Sequence, residues 1–341
     1  MKKTLLALVL SVCMALPAWA RPAEELAFQS FWTAGHQLNR AIIDPWCQGM
    51  REATNGKVVM HFNGNGALFR MDAVPNALRT GSLDVGGIQL QVALSMMPLH
   101  NLLSLPFLVQ NAQEAATLAI AMRETFPEVR KEGDANFYTL AFLGSDRYAF
   151  GSVHNPIRTP ADLAGKRVLV WAAWQIEEVK AWGGQPVQII SAETYMGLQR
   201  GLGEVAYVPY PAMESNKLIE VVRHVTLIPS RTLPMAIAIN KDAYNSLPQE
   251  AKDYLRNTTG EAMSRRIGDA LVAMSAEDMA RHKAAGIEFI ELNKEEQEVF
   301  RVKAADANRA YWVDTLRRNR LPDPEGWIDR VEKLAAKLFD R

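Results

Sequence analysis

The sequence predicts an α/β protein of two lobes, joined by crossing strands and by one long helix. Three observations support this prediction. Short apolar runs alternate with helical stretches, which is the order of a mostly parallel sheet covered by helices. The chain has 341 residues, more than a single hydrophobic core usually supports. From Pro248 to Ala285 nearly every residue favours helix, and this helix would reach roughly 55 Å, longer than one lobe.

The first 20 residues have the composition of a secretory signal peptide, which indicates an exported protein. Two lysines precede an apolar stretch over residues 4–16, and a cleavage site of the A-x-A type ends at Ala20. Removal of residues 1–20 leaves 36 basic and 38 acidic residues, a net charge of −2. A chain so nearly neutral does not suit nucleic-acid binding.

Cysteine usage agrees with export to the periplasm. Cys13 lies in the signal peptide, so Cys47 alone remains and no internal disulfide is possible. Residues 10–12 lack the small residue expected before a lipidated cysteine, which disfavours a lipoprotein. No other stretch approaches 18 uninterrupted apolar residues, so no transmembrane helix is expected.

Periodicity and turn residues predict the elements of the first half of the chain. The predicted strands are residues 27–31, 58–62, 83–88 and 136–143. The predicted helices are residues 36–53, 71–79 and 111–132. Gly81 is the expected C-cap of the second of these helices, because glycine adopts the left-handed conformation that ends a helix.

The second half repeats the alternation and then becomes helical. The predicted strands are residues 167–171, 187–190 and 204–208, and the predicted helices are residues 172–182, 192–200, 248–285, 294–318 and 324–339. We expect lobe I to contain residues 21–146 and about 233–265. We expect lobe II to contain residues 147–232 and about 266–341.

Catalytic and metal-binding motifs are incomplete. Gly64-x-Gly66 follows a strand, but Phe69 replaces the third glycine of a dinucleotide-binding loop. The six histidines have no ligand spacing. Cys47 lies beside a tryptophan on a predicted helix, which indicates a buried structural thiol. No enzyme activity, cofactor or metal is therefore predicted, and a periplasmic enzyme is only the distant alternative.

Seven short motifs occur in a fixed order along the mature chain. Residues 77–85 are ALRTGSLDV, residues 103–108 are LSLPFL, residues 159–168 are TPADLAGKRV and residues 193–201 are ETYMGLQRG. Together with residues 56–68, 218–226 and 247–250, they resemble the solute-binding subunits of tripartite ATP-independent periplasmic (TRAP) transporters. The resemblance is to the C4-dicarboxylate-binding type, periplasmic solute-binding protein family 7, and covers about residues 26 to 300.

This resemblance implies a periplasmic binding protein fold, with crossing hinge strands and a long helix that spans both lobes. It also implies that a monomer captures a small organic solute, commonly a carboxylate, and delivers it to TRAP-type integral membrane permease subunits. A ligand sensor of the same fold, serving a membrane signalling protein, is the main alternative, and the sequence does not separate the two.

One departure from the family concerns the solute carboxylate. The family strand normally carries an arginine that pairs with this carboxylate in a planar, two-pronged contact. Counted from Gly165, that position is Leu169, and Arg167 is expected to be a solvated surface residue. Small dicarboxylates should therefore bind poorly, and a monocarboxylate with an aromatic or apolar body should bind better.

Ten residues from distant strand ends and loops are predicted to line one cleft between the lobes. Several are aromatic, Arg147 is the candidate to hold an anion, and Gln89 is expected to form a hydrogen bond with the solute. Tyr207 and Val208 stand where family members offer Glu and Asn. The predicted ligand-binding residues are Phe31, Trp32, Gln89, Arg147, Trp171, Ala172, Ser191, Tyr207, Val208 and Tyr210.

Overall fold

The structure is a computed structural model that describes residues 24–64 and 66–340. The predicted signal peptide, its cleavage site and Asn65 of the glycine-rich turn lie outside the described residues. Within these two ranges, no helix combines the length and the apolar character needed to cross a lipid bilayer.

The first lobe is built on a five-stranded sheet. Its strands are β1 (Glu24–Gln29), β2 (Val58–Asn63), β3 (Val85–Gln89), β4 (Tyr138–Gly144) and β10 (Pro234–Ile239). Their order is β2-β1-β3-β10-β4. β1 runs parallel to β2 and β3, whereas β10 runs antiparallel to β3 and β4. β10 returns to this sheet after the chain has formed most of the second lobe.

Helices cover both faces of this sheet. They are α1 (Asp44–Ala53, preceded by a π-helical turn over Asn39–Ile43), α2 (Val74–Thr80), α3 (Ala112–Thr125), α4 (Pro127–Asn136), α8 (Lys241–Ser246) and α9 (Gln249–Thr258). Gly81 ends α2 with φ of 76°, as predicted. The helix predicted over 111–132 is wrong in its length, because Pro127 starts a new helix and holds Phe126 in an extended conformation.

The second lobe is built on a six-stranded sheet. Its strands are β5 (Tyr148–Ser152), β6 (Arg167–Val170), β7 (Gln185–Gln188), β8 (Val205–Pro209), β9 (His224–Ile228) and β11 (Glu288–Glu291). Their order is β11-β9-β5-β8-β6-β7. The helices α5 (Ala173–Trp182), α6 (Thr194–Gln199) and α7 (Pro211–Ser215) follow β6, β7 and β8. Separate buried apolar clusters fill the two faces of this sheet.

Two crossing segments connect the sheets. The first crossing segment, residues 145–147, joins β4 to β5, and the second crossing segment, residues 229–233, joins β9 to β10. Ser145 N donates to Leu233 O at 2.9 Å, Leu233 N donates to Ser145 Oγ at 2.9 Å, and Thr232 Oγ1 donates to Ser145 O at 2.8 Å. The two segments are thus bonded to each other, which confirms the predicted two-lobe fold with crossing hinge strands.

The helix predicted over 248–285 is two helices in the structure. Gly260 breaks it with φ of 67° and ψ of −133°, a conformation that only glycine adopts without strain. The second helix, α10 (Glu261–Ala284), has 24 residues and is roughly 36 Å long. Ile267 of α10 packs in the core of the first lobe, and His282 near its other end lies 2.7 Å from Glu214 of α7. α10 therefore spans both lobes, although it is shorter than predicted.

The last two helices have the predicted bounds. α11 (Lys294–Arg318) packs along α5 of the second lobe, and α12 (Pro324–Phe339) packs against α3 of the first lobe. The rings of Trp327 and Phe126 are 5.5 Å apart in this contact. We expected residues 266–341 in lobe II, but the apolar stripe of α12 is buried in the first lobe's core. The described residues thus begin and end on the same lobe.

Candidate functional site

Predicted cleft residues of the first lobe lie together where β1 and β3 end. Phe31 and Trp32 follow β1, and their ring centroids are 4.3 Å apart. The Phe31 ring lies against Gly87 of β3, where an added Cβ atom would be 2.4 Å from the ring. Trp32 stacks on His36 with centroids 5.6 Å apart and an interplanar angle of 23°. Gln89 ends β3, two residues after Gly87.

In the second lobe, Trp171 and Ala172 form the turn from β6 into α5. Their backbone N–H groups donate to Gln175 Oε1 at 2.9 and 2.8 Å. The Trp171 indole donates to Thr194 Oγ1 at 2.8 Å, which holds its ring against α6. This turn therefore presents a half-buried indole at the end of β6.

Ser191 is exposed after β7, at the edge of the second lobe. Its hydroxyl accepts a hydrogen bond of 2.6 Å from Asn216 Nδ2. This bond connects the turn before α6 to the end of α7.

Tyr207 and Val208 are both fully buried, and they occupy opposite faces of the second sheet. Side chains alternate along a strand, so these neighbours cannot face the same cavity. Tyr207 stacks on Phe150 at 4.8 Å and donates from its hydroxyl to Glu178 Oε2 at 2.9 Å. Burial and the Glu178 carboxylate raise the pKa of Tyr207 well above that of an ordinary phenol. The Tyr207 ring is thus part of the lobe's interior.

A buried polar network connects the two lobes beside α11. Arg231 of the second crossing segment lies 3.3 Å from Glu178 of α5, and neither side chain is exposed. The guanidinium also donates to Ser104 O of the first lobe and to Asn308 Oδ1 of α11. It lies 4.0 Å from the centroid of the Trp174 ring. Every nitrogen of this guanidinium has a protein partner, so Arg231 joins residues of both lobes.

A second polar group surrounds the first crossing segment. Tyr210, the last residue before α7, donates its backbone N–H to Arg147 O at 2.9 Å. Arg147 Nε and Asp146 Oδ1 are buried and have no hydrogen-bond partner among the described residues, and the same is true of Ser275 Oγ on α10. The structure thus brings the predicted residues Arg147 and Tyr210 together at the hinge. It also leaves donor and acceptor atoms open there.

Burial raises the pKa of Asp146, and the adjacent Arg147 offsets part of this effect. A raised carboxyl pKa stabilises the folded state fully below the pKa of the unfolded aspartate, and this stability is lost as pH rises through the folded-state pKa. Asp146→Asn is therefore expected to raise the thermal unfolding midpoint at pH 7 and to give no gain near pH 3. Thermal melts of both proteins at the two pH values measure this. The exposed control Asp269→Asn should change little, and a D146N protein less stable than wild type at pH 7 would contradict the argument.

A groove of about 560 Å³ opens between the lobes beside α11. Leu94 of the first lobe, Ala173 and Glu177 of α5, and Tyr311 of α11 contribute to its walls. Ala173 follows the predicted residue Ala172, so the groove begins where the turn from β6 ends.

Sequence reasoning missed Asp146, Ser275 and Arg231. A signal was present for Ser275, which follows Leu271 by one helical turn and places a hydroxyl on the buried stripe of α10. Asp146 directly precedes Arg147 in the first crossing segment. No local pattern marks Arg231, because its partners are 53 to 127 residues away in sequence.

Two lobes joined by crossing segments, with aromatic and polar side chains at the strand ends between them, define a solute-binding protein. The model of the bacterial extracellular solute-binding protein family 7 matches residues 28–313. The chain therefore belongs to this family, and its resemblance to TRAP solute-binding subunits is confirmed. Members of this class bind small organic solutes and work with membrane permease subunits.

Individual relatives agree with this assignment. A solute-binding protein of Chromohalobacter salexigens is 23% identical over 226 residues, which are 66% of this chain and 67% of the relative. A marine metagenome TRAP protein specific for aromatic acid ligands superposes with a TM-score of 0.82 at 20% identity, covering 93% of this chain and all of that chain. A TRAP protein of Rhodoferax ferrireducens in complex with benzoate gives 0.77 at 20% identity, covering 92% and 98%.

Proposed function

We propose that this protein binds a small aromatic or apolar monocarboxylate between its lobes and delivers it to a TRAP-type permease. The observation that carries this proposal is the position of the available arginine. β6 has a leucine where the family has its arginine, and Arg147 lies at the hinge. Leu169 is fully buried, and a Cβ atom added at Gly203 would lie 2.5 Å from its side chain. β6 therefore has no room for a guanidinium at position 169, whereas Arg147 at the hinge has an Nε–H without a partner among the described residues.

The aromatic walls support a ring-bearing solute. Phe31 and Trp32 lie on the first lobe, and the Trp171 indole lies at the end of β6 on the second. Aromatic faces bind ring or apolar surface well and compensate poorly for the desolvation of a second carboxylate. The two structural neighbours that bind aromatic acids have the same fold, which fits this solute class.

The proposal also states where the protein acts and how its lobes move when the solute binds. The N-terminal 20 residues support export, so the mature monomer would act in the periplasm. Capture of the solute would close the lobes about the two crossing segments. We propose no catalytic step, since the family and the structural neighbours are binding proteins.

Calorimetric titration with benzoate and with succinate tests the proposal. We expect benzoate to bind and succinate to give no measurable heat. Arg147→Ala should weaken benzoate binding by about 10- to 100-fold, the loss of a hydrogen bond to a charged group.

Arg167→Ala is the matched control for the loss of a cation. Arg167 is exposed and donates to the Gly201 and Leu202 carbonyls, so its removal should leave benzoate affinity unchanged. Submicromolar succinate binding, or a loss with R167A in place of R147A, would show that the proposed pocket is wrong.

A further inference from the structure

We infer that Thr194 and Gln175 are positioning residues, which hold the Trp171 indole in one orientation before a solute arrives. This inference rests on the proposed function and adds two residues that lie behind the solute-binding surface. Thr194 is fully buried and Gln175 is 1% exposed. The hydrogen bonds around the turn from β6 into α5 carry the inference.

The turn lies at a crevice in the second sheet. β6 runs parallel to both of its neighbours, β7 and β8. The helix after β6, α5, packs on one face of the sheet, and the helix after β8, α7, packs on the opposite face. Where adjacent parallel strands continue to opposite faces, a crevice opens at their carboxyl ends, and α/β proteins bind ligands there. Trp171 is the first residue after β6, so it stands at this crevice.

Gln175 bridges β6 and β8 where the two strands separate. The last paired residues of these strands are Leu169 and Ala206. Beyond them, Tyr207 O accepts a hydrogen bond from Gln175 Nε2 in place of a backbone partner on β6. The oxygen of the same amide accepts from both backbone N–H groups of the turn. One buried side chain therefore fixes the turn relative to β8.

Thr194 fixes the ring that the turn carries. Its hydroxyl accepts the indole N–H of Trp171 at 2.8 Å, and it is the first residue of α6, so the helix holds the acceptor in place. The carbonyl oxygen of Trp171 accepts from Gln188 Nε2 at 3.3 Å. The ring is only half-buried, so part of its surface remains open to a solute. The indole is thus held by the protein alone, and it needs no solute to order it.

A ring that is already held favours binding, because no side-chain freedom is lost when the solute arrives. Ordering a mobile side chain on binding weakens affinity by about 2- to 10-fold. Without the Thr194 hydroxyl, the indole N–H would turn toward water, since buried polar groups seldom stay unpaired. The ring would then exchange between rotamers, and the solute would have to order it.

A double-mutant cycle tests this inference. Thr194→Val keeps the branched side chain but has no acceptor, and we expect calorimetry to show about 5-fold weaker benzoate binding. Phenylalanine has no N–H, so in a Trp171→Phe background the same change should alter affinity by less than about twofold. Thr194→Ser retains the hydroxyl and should restore wild-type affinity.

Thr226→Val is the matched control for the loss of a buried hydroxyl. Thr226 lies on β9 of the same lobe and is fully buried, and its hydroxyl has no hydrogen-bond partner within the described part of the chain. Its replacement should therefore leave benzoate affinity unchanged.

Fluorine NMR of protein labelled with 5-fluorotryptophan measures the ring without any solute. The Trp171 resonance is identified by its loss in W171F. We expect one sharp Trp171 resonance in wild type, T194S and T226V. In T194V it should shift or broaden, because the ring exchanges between orientations.

The calorimetric and NMR results decide separate points. An equal loss of affinity from T194V in both backgrounds, or a Trp171 resonance that T194V leaves unchanged, overturns the inference while the proposed function stands. If wild type does not bind benzoate, the proposed function fails, and the role of a fixed Trp171 ring in binding fails with it. The melting temperature of each variant shows that a changed affinity does not come from unfolding.

Discussion

Replacing Glu178 with alanine is expected to lower the free energy of unfolding by about 3–5 kcal/mol. The change leaves the Arg231 guanidinium buried without its counter-ion, and both side chains are fully inaccessible. It also removes acceptors from Tyr207 and Asn308. Chemical denaturation at neutral pH measures the loss.

Glu177 provides the matched control, since it is the neighbouring carboxylate on the same helix. It is half-exposed and pairs with Lys180 at 3.0 Å, so Glu177→Ala should cost less than about 1 kcal/mol. The double change Glu178→Leu with Arg231→Met should recover part of the stability, because a buried pair is replaced by apolar side chains. An E178A protein within 1 kcal/mol of wild type would show that water reaches Arg231.

Gly144→Ala is expected to destabilise the protein by about 1–3 kcal/mol, through overpacking at the hinge. A Cβ atom at position 144 would lie 2.2 Å from Thr232 Oγ1 and 2.5 Å from Ala115 Cβ. β4 would have to move away from the second crossing segment, so we also expect small-angle scattering to show a changed separation of the lobes.

Gly35→Ala is the control for the added methyl group, because an added Cβ there meets nothing within 4 Å. Its stability should stay within about 0.5 kcal/mol of wild type. If G144A has the melting temperature and the scattering profile of wild type, the crossing segments accommodate the added methyl group and the prediction is wrong.

Elements with local signals were predicted well. The bounds of α11 and α12 agree with the structure because their ends are marked in sequence. Asn293 caps α11 and forms a reciprocal pair with Glu296, and Pro324 is the first residue of α12. The left-handed Gly81 at the end of α2 is another local signal. In each case a few neighbouring residues determine the backbone.

Elements that depend on distant partners were not predicted. β5, β9 and β10 had no assignment, since each pairs with strands far away in sequence. The break at Gly260 was also missed, and there the Gly260 N–H donates to Leu140 O at 2.6 Å. A glycine tolerates such a break, but only the tertiary contact makes it favourable.

The residues of the candidate site also divide into those with a local sequence signal and those brought together by distant packing. Arg147 was placed at the hinge because the chain must cross between lobes after β4. Asp146 and Ser275, which lie beside each other, are brought together only by the packing of α10 on the first crossing segment. Tyr207 and Val208 were predicted to face one cavity, although strand alternation separates adjacent residues. The number of aromatic residues at the strand ends therefore could not show which rings face the cleft.

The return of α12 to the first lobe has a consequence for the order in which the protein matures. Trp327, Ile328 and Val331 complete the core cluster that begins at Val74 and includes α3, so this part of the first lobe waits for the last of the described helices. The buried cluster of the second lobe ends at Ala304, with Tyr311 packed against it, so α11 completes it. During N-to-C-terminal synthesis or translocation, the second lobe can therefore consolidate first. The part of the first lobe around α2 and α3 stays incompletely packed, and open to factors that handle unfolded chains, until α12 arrives.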